Sequence, residues 1–244
     1  MQNGETILTN AAMEPEIKDL QNFLNKMGAK VEGAGSNIIK ITGVKKLKDV
    51  SYNIMPDRIE AGTLLCMGAA TSGKLELNNV IPEHIVPVID KLEECGCKFD
   101  INKNKIVLDA PRKLKSTDIK TMPYPGFPTD MQSVFTSMLC TAKGTSVIVE
   151  NIFENRYKYI NELKRMGAKI NIEGKIAIVK GTRKLSAATV EATDLRGGAA
   201  VVLAGLVAKG KTRVNNIEHI LRGYEGLDKK LNKIGANMIL ENIN

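Results

Sequence analysis

The chain has no tryptophan and only five phenylalanines and five tyrosines among its 244 residues. A surface that binds single-stranded nucleic acid by stacking needs aromatic faces, so this scarcity lowers the nucleic-acid reading. Histidine is scarcer still. His84 and His219 stand near loop-to-helix joins, without the serine or cysteine neighbours of a nucleophilic constellation. Cys66, Cys95, Cys97 and Cys140 form no pair of CxxC motifs, and with two histidines available they make a zinc site a poor expectation. Cys66 and Cys140 fall in apolar helical stretches and read as core, while the "CGC" at 95–97 spans a helix end and reads as structural. No metal or cofactor is expected.

Long apolar runs are missing as well. The longest, "AAVVLAGLVA" at 199–208, falls far short of the about 18–20 residues that a membrane-spanning helix needs. The opening "MQNGETILTN" has neither the basic nor the apolar region of a signal peptide. A cytoplasmic protein without a membrane partner is the expectation. What is present is ordinary globular composition, 43% apolar and 25% charged, enough for one large domain or two smaller ones. Thirty-five Lys and Arg against 27 Asp and Glu give +8, which favours an anionic partner, whether nucleic acid, an acidic membrane surface or a phosphorylated small molecule, without choosing among them.

An internal repeat organises the chain. "LNKMGAKVEG", "LEECGCKFDI", "LKRMGAKINI" and "LNKIGANMIL" share Gly28, Gly96, Gly167 and Gly235, at spacings of 68, 71 and 68 residues. A second set, "NGETILTN", "SGKLELNN", "KGTSVIVEN" and "KGKTRVNN", shares Gly4, Gly73, Gly144 and Gly210, at spacings of 69, 71 and 66. Two independent landmarks give one period of about 69 residues. Within each unit a helix leads through glycine into a short strand, a second helix ends at the shared glycine as a left-handed cap requires, and a strand pair closes the unit. In "EPEIKDLQNFLNKMG", Ile17, Leu20, Leu24 and Met27 fall on one helical face. The fold class is α/β, built of repeated β-α-β-α-β-β units.

The end units differ from the others. Residues 1–55 begin at a strand without a first helix, and the last copy runs to "ANMILENIN", one strand into its expected closing pair. Half-units leave strand edges without partners, so the chain reads as part of something longer.

Two residue types stand out against the repeat. Asp57, Asp130 and Asp194 occupy matching helix starts, and N-capping accounts for all three as well as a chemical role does. Their neighbours differ: Arg58 and Glu60 follow Asp57, Arg196 follows Asp194, but Asp130 follows the stiff "PYPGFPT". Those prolines either feed a helix or hold the Asp130 carboxylate at the mouth of a cleft. Arg58, Arg156, Arg196 and Arg222 sit in helix starts or the loops before them. Arginine there suits phosphate or carboxylate binding, against the alternative of a solvated surface side chain.

The segments "PYPGFPTDMQ", "IFENRY", "ATDLRGG", "LRGYE", "AAMEPEI" and "MPDRIEAGT" together resemble the enolpyruvyl transferase family, in the family's order and over essentially the whole chain. The resemblance implies an inside-out α/β barrel of six such repeats in two lobes, with the active site between them. The activity it implies is transfer of enolpyruvyl from phosphoenolpyruvate to the 3′-hydroxyl of UDP-N-acetylglucosamine, releasing phosphate, in the first committed step of peptidoglycan synthesis. Residues 1–55 would then complete an upstream lobe, and 56–244 would form most of the second, with roughly 170 residues of the family pattern lying upstream.

Position by position, the resemblance makes Asp130 the general base beside the sugar hydroxyl. Ile152 and Phe153 would line the sugar-nucleotide site through their backbone, and Arg222 would grip phosphoenolpyruvate. Arg156, Asp194 and Arg196 would surround the same cleft, while Glu14, Asp57 and Arg58 would face the lobe interface. The family's reactive cysteine and its lysine-asparagine pair belong to the upstream half. "TDLRGG" stands for the more usual "TDLRAS", Leu221 for an acidic residue, and "NRYKY" lacks the usual histidine. The competing expectation is a non-catalytic fragment or binding module that retains the fold.

Overall fold

A computed structural model describes residues 4–241. Gly28, Gly96, Gly167 and Gly235 carry φ of +99°, +97°, +89° and +103°, a left-handed conformation that side chains with a Cβ avoid. Each ends a helix, and the first three turn the chain into the strand that follows.

The first unit runs β1 (Glu5–Thr9), α1 (Pro15–Lys26), β2 (Lys30–Glu32) and β3 (Ile38–Thr42). The second runs α2 (Arg58–Ala70), β4 (Lys74–Asn78), α3 (Val86–Glu94), β5 (Lys98–Asn102) and β6 (Lys105–Asp109). The third adds a short β7 (Ile119–Lys120) before α4 (Thr129–Leu139), β8 (Thr145–Val149), α5 (Ile160–Arg165), β9 (Lys169–Glu173) and β10 (Ile176–Lys180). The fourth holds β11 (Leu185–Ser186), β12 (Thr189–Glu191), α6 (Leu195–Val207), β13 (Ala208–Lys209), β14 (Arg213–Asn215), α7 (Glu218–Leu221) and α8 (Leu227–Lys233).

In the first three units the last strand lies between the other two and antiparallel to both, in the orders β1-β3-β2, β4-β6-β5 and β8-β10-β9. Its inward residues, such as Ile106 and Leu108 in β6, are fully buried, and its alternation fixes the register of the unit.

The first helices of units two to four form the interior. Every residue of α4 from Met131 to Leu139 is buried, as is α6 from Gly197 to Ala204; α6 is apolar all round, as a core helix is, whereas α4 carries Gln132, Ser133, Thr136 and Ser137 into the interior. α4 packs against both α2 and α6. The approach is close: a Cβ on Gly62 of α2 would stand 2.9 Å from the Met131 sulfur, and Ser137 Oγ donates to Ala200 O at 2.7 Å. Sheets surround these helices, which is the inside-out arrangement. Of the apolar face expected on α1, Ile17, Leu24 and Met27 are half-buried, but Leu20 is 51% exposed on the wall of a cleft.

The fourth unit corrects one expectation. No strand forms in residues 236–241, and residues 242–244 of "ANMILENIN" lie outside the described residues. The physical cause is the ladder itself. Among the described residues the fourth unit has no counterpart of β3, β6 or β10, so β14 and residues 236–241 lack the central strand that would pair with both. The chain is nonetheless shaped for one: Asn232 Nδ2 donates to Met238 O and Met238 N to Asn232 Oδ1, each at 2.8 Å. The same clasp joins Asn25 to Val31 in β2, at 2.7 and 2.8 Å.

Candidate active site

The starts of α2, α4 and α6 and the end of β8 converge on a cavity of about 1040 Å³, closed on the other side by α1 and residues 50–57. Glu14, Glu16, Asp57, Arg58, Asp130 and Arg196 are among the charged residues of its wall. The proline-rich segment supplies part of that wall as a tight loop, with Met122 N bonded to Phe127 O at 3.0 Å and Gly126 N to Pro123 O at 2.8 Å. A Cβ on Gly126 would lie 2.5 Å from Met122 Cβ, so glycine is required there. The loop delivers Tyr124 onto the Arg58 guanidinium, 5.5 Å from ring centroid to Cζ.

Asp130 occupies the centre. Its Oδ1 accepts from Arg156 Nη2 at 2.6 Å and its Oδ2 from Arg196 Nη2 at 2.9 Å. The carboxylate is 41% exposed, whereas the arginine side chains are 8% and 13% exposed. Burial alone would raise the Asp130 carboxyl, but the charge and hydrogen bonds of Arg196, then those of Arg156, outweigh it and hold it below the usual 3.8. Both arginines are fixed from behind. Arg156 lies 4.5 Å over the Phe153 ring and donates from Nε to Thr129 Oγ1 at 3.2 Å. Arg196 Nη1 donates to Tyr224 OH at 3.2 Å, and that fully buried phenol is 3.0 Å from Thr63 Oγ1.

Asp57 and Asp194 behave differently. Asp57 Oδ1 accepts from Ile59 N and Glu60 N at 2.7 and 3.1 Å, and Asp194 Oδ1 from Arg196 N and Gly197 N at 2.9 Å each. Both are N-caps. Asp57 also lines the cavity; Asp194 stands behind Arg196.

The arginines divide as well. Arg58 is 8% exposed and donates from Nε to Glu16 Oε1 at 2.9 Å, so three of the four are held in the interior rather than solvated. Arg222 departs from the expectation of a place favouring anions at a helix start. It is the exposed C-cap of the four-residue α7, and it is not among the residues lining the cavity. Ile152 and Phe153 are 46% and 53% exposed, with Ile152 on the cavity wall. Glu14 Oε2 is buried without a hydrogen-bond partner.

The sequence reading passed over Glu16, Tyr124, Thr129, Glu150 and Tyr224, all of which bond or stack with these residues. The four cysteines are buried core residues, as expected. Burial pushes the Cys140 thiol up to about 12, and burial with neighbouring thiols and carboxylates pushes Cys95 to about 12 and Cys97 to about 11. None is a reactive thiolate at neutral pH.

Known proteins resemble the chain in sequence and in fold. UDP-N-acetylglucosamine 1-carboxyvinyltransferase 1 of Caldanaerobacter subterraneus subsp. tengcongensis is 52% identical over 236 residues, covering 97% of this chain and 57% of that protein. The Thermotoga maritima UDP-N-acetylglucosamine 1-carboxyvinyltransferase is 49% identical over 238 residues, covering 98% of this chain and 56% of that protein. The chain thus spans little more than half the length of these relatives and matches their C-terminal portion. Among solved structures, the enolpyruvyl transferase NikO from Streptomyces tendae superposes with a TM-score of 0.85 at 27% identity, over 96% of this chain and 56% of that one. EPSP synthase from Acinetobacter baumannii, at 20% identity and a TM-score of 0.75, shares the fold over 98% of this chain and 58% of that one. The pattern of EPSP synthase (3-phosphoshikimate 1-carboxyvinyltransferase) matches residues 1–231, and the chain belongs to that enolpyruvyl transferase family.

Proposed function

We propose that this chain carries one side of a site that transfers enolpyruvyl from phosphoenolpyruvate to the 3′-hydroxyl of UDP-N-acetylglucosamine, and that it works together with the upstream part of the relatives' length that it does not span. The observation that carries the reading is the Asp130 carboxylate, set in the wall of a large cavity between two nearly buried arginines. In the net reaction the sugar oxygen forms a bond to the enolpyruvyl carbon, the carbon–oxygen bond to phosphate breaks, and the hydroxyl proton leaves. Asp130 is suited to take that proton, because its depressed pKa keeps it ionised at neutral pH. The same depression makes it a weak base, and each Oδ, accepting one arginine hydrogen bond, keeps a lone pair open to a substrate hydroxyl.

On this reading Ile152 and Phe153 present backbone to the nucleotide, and Arg156, Asp194 and Arg196 shape the reacting end. Glu14, Asp57 and Arg58 face the interface between the lobes. Arg222, exposed here, would reach phosphoenolpyruvate only with that lobe in place. Residues 1–55 belong to the upstream lobe and 56–244 to the second. The product would enter peptidoglycan synthesis in the cytoplasm; among the described residues no helix is long and apolar enough to cross a membrane.

The test supplies the upstream portion of the Caldanaerobacter relative, which this chain does not span, as a separate chain and measures phosphate release from phosphoenolpyruvate with UDP-N-acetylglucosamine present. Release that requires both chains and the sugar nucleotide is expected. If the two chains associate and no phosphate appears, the transferase reading fails.

A further inference from the structure

The second landmark of the repeat aligns Asn10, Asn79, Glu150 and Asn216, each six residues after Gly4, Gly73, Gly144 and Gly210. In three units the residue is an exposed asparagine with φ of +55°, +57° or +56°. Asparagine is tolerated in that left-handed conformation and turns the chain out of its strand. Unit three, which bears Asp130, breaks the pattern. Glu150 is 3% exposed and is not among the left-handed residues.

Its carboxylate meets four donors. Oε1 accepts from Thr121 Oγ1 at 2.8 Å, Ile152 N at 2.9 Å and Phe153 N at 3.0 Å, and Oε2 accepts from Thr129 Oγ1 at 3.0 Å. A buried carboxylate is costly to desolvate unless it is fully hydrogen-bonded. Three sister units fold without one, so its presence here is not a demand of the repeat.

The four contacts lead to parts of the candidate site. Thr121 precedes the proline-rich loop, and Ile152 and Phe153 are the exposed segment beside the cavity. Thr129 has a hydroxyl proton to give and lone pairs to receive with. Because it donates to Glu150, its lone pairs are free for Arg156 Nε–H, whose Nη2 holds Asp130.

We propose that Glu150 is a positioning residue of this site: its buried carboxylate holds the Ile152–Phe153 segment by two backbone amides and, through Thr129, aims Arg156 at Asp130. The assignment rests on the transferase reading for its purpose but not for its test. Glu150→Gln keeps the shape and replaces an acceptor with an amide that donates to Thr129, reversing the polarity of the relay. Thr129→Val cuts the relay and leaves the two backbone contacts alone.

Hydrogen exchange by ¹⁵N NMR at neutral pH reads both arms in the chain itself. In Glu150→Gln, the Arg156 Nε–H should exchange about tenfold faster or more, and the Ile152 and Phe153 amides should also accelerate, because the amide oxygen left to them is neutral and accepts more weakly than a carboxylate, while the α4 amides stay protected. In Thr129→Val only the Arg156 Nε–H should accelerate. Uniform acceleration across α4, or an Arg156 Nε–H unchanged in both folded variants, would overturn the assignment. A chain that never transfers enolpyruvyl would still give the expected split, so this result and the transferase reading fail separately. In the completed enzyme, Thr129→Val should lower kcat with little change in the KM for UDP-N-acetylglucosamine, whereas Glu150→Gln should alter both.

Discussion

Asp194 and Asp130 stand at equivalent places in neighbouring units, and they do opposite things. Asp194 turns its carboxylate back onto the first amides of α6, while Asp130 makes no capping bond and reaches across to two arginines. The cause is a shift of the helix start by two residues. α2 and α6 begin directly after Asp57 and Asp194, but α4 is entered through Pro128, which takes the N-cap position at φ −71° and ψ 136°. Thr129 and Asp130 then become the first two residues of the helix, where a side chain points outward rather than over the helix end. The prolines of "PYPGFPTDMQ" both feed a helix and free a carboxylate.

The largest expected effect of breaking this comparison is on rate. With the upstream portion supplied, Asp130→Asn should reduce phosphate release by about 10²–10⁴-fold, the usual contribution of a positioned base, with the fold intact by circular dichroism. A rate within tenfold of wild type would return Asp130 to a structural role.

The caps should appear in stability instead. Asp57→Ala and Asp194→Ala each remove a carboxylate accepting two backbone amides, at a cost of about 0.5–2 kcal/mol. Urea denaturation should register this as a lower midpoint with an unchanged slope. Asp130→Asn should shift the midpoint less, because the carboxylate is 41% exposed and the asparagine keeps an oxygen that accepts from one of the two arginines. A larger shift for Asp130→Asn than for either cap would reverse the contrast.

Much of this was legible in the sequence, because the repeat is local and redundant. Gly28, Gly96, Gly167 and Gly235 announce the helix ends through a conformation that only a few residues accept, and α6 holds the longest apolar run of the chain. What was hidden depends on distance along the chain. Arg196 meets Asp130 across 66 positions, and Tyr224 meets Thr63 across 161. No periodicity encodes such pairs. Residues 236–241 failed as a strand for a related reason: alternation makes a segment able to pair, and only a neighbouring strand makes it do so. Glu150 is the exception, since aligning it with Asn10, Asn79 and Asn216 would have singled it out as the unit's departure from pattern.

The smallest effect is a pH dependence, and its sign separates the two kinds of aspartate role further. Arg196 and Arg156 depress the Asp130 carboxyl in the folded chain below 3.8, so the folded state binds that proton less readily than the unfolded one. The stabilisation from its ion pairs is therefore complete above the unfolded value and disappears as pH falls through the folded one. Asp130→Asn has no such proton to bind. The difference in urea midpoint between wild type and Asp130→Asn should hold level from about pH 7 to pH 5 and shrink below about pH 4. A difference that persisted undiminished into acid would mean that the arginines do not hold an ionised Asp130, and the carboxylate would lose its claim to be ready for a proton at neutral pH.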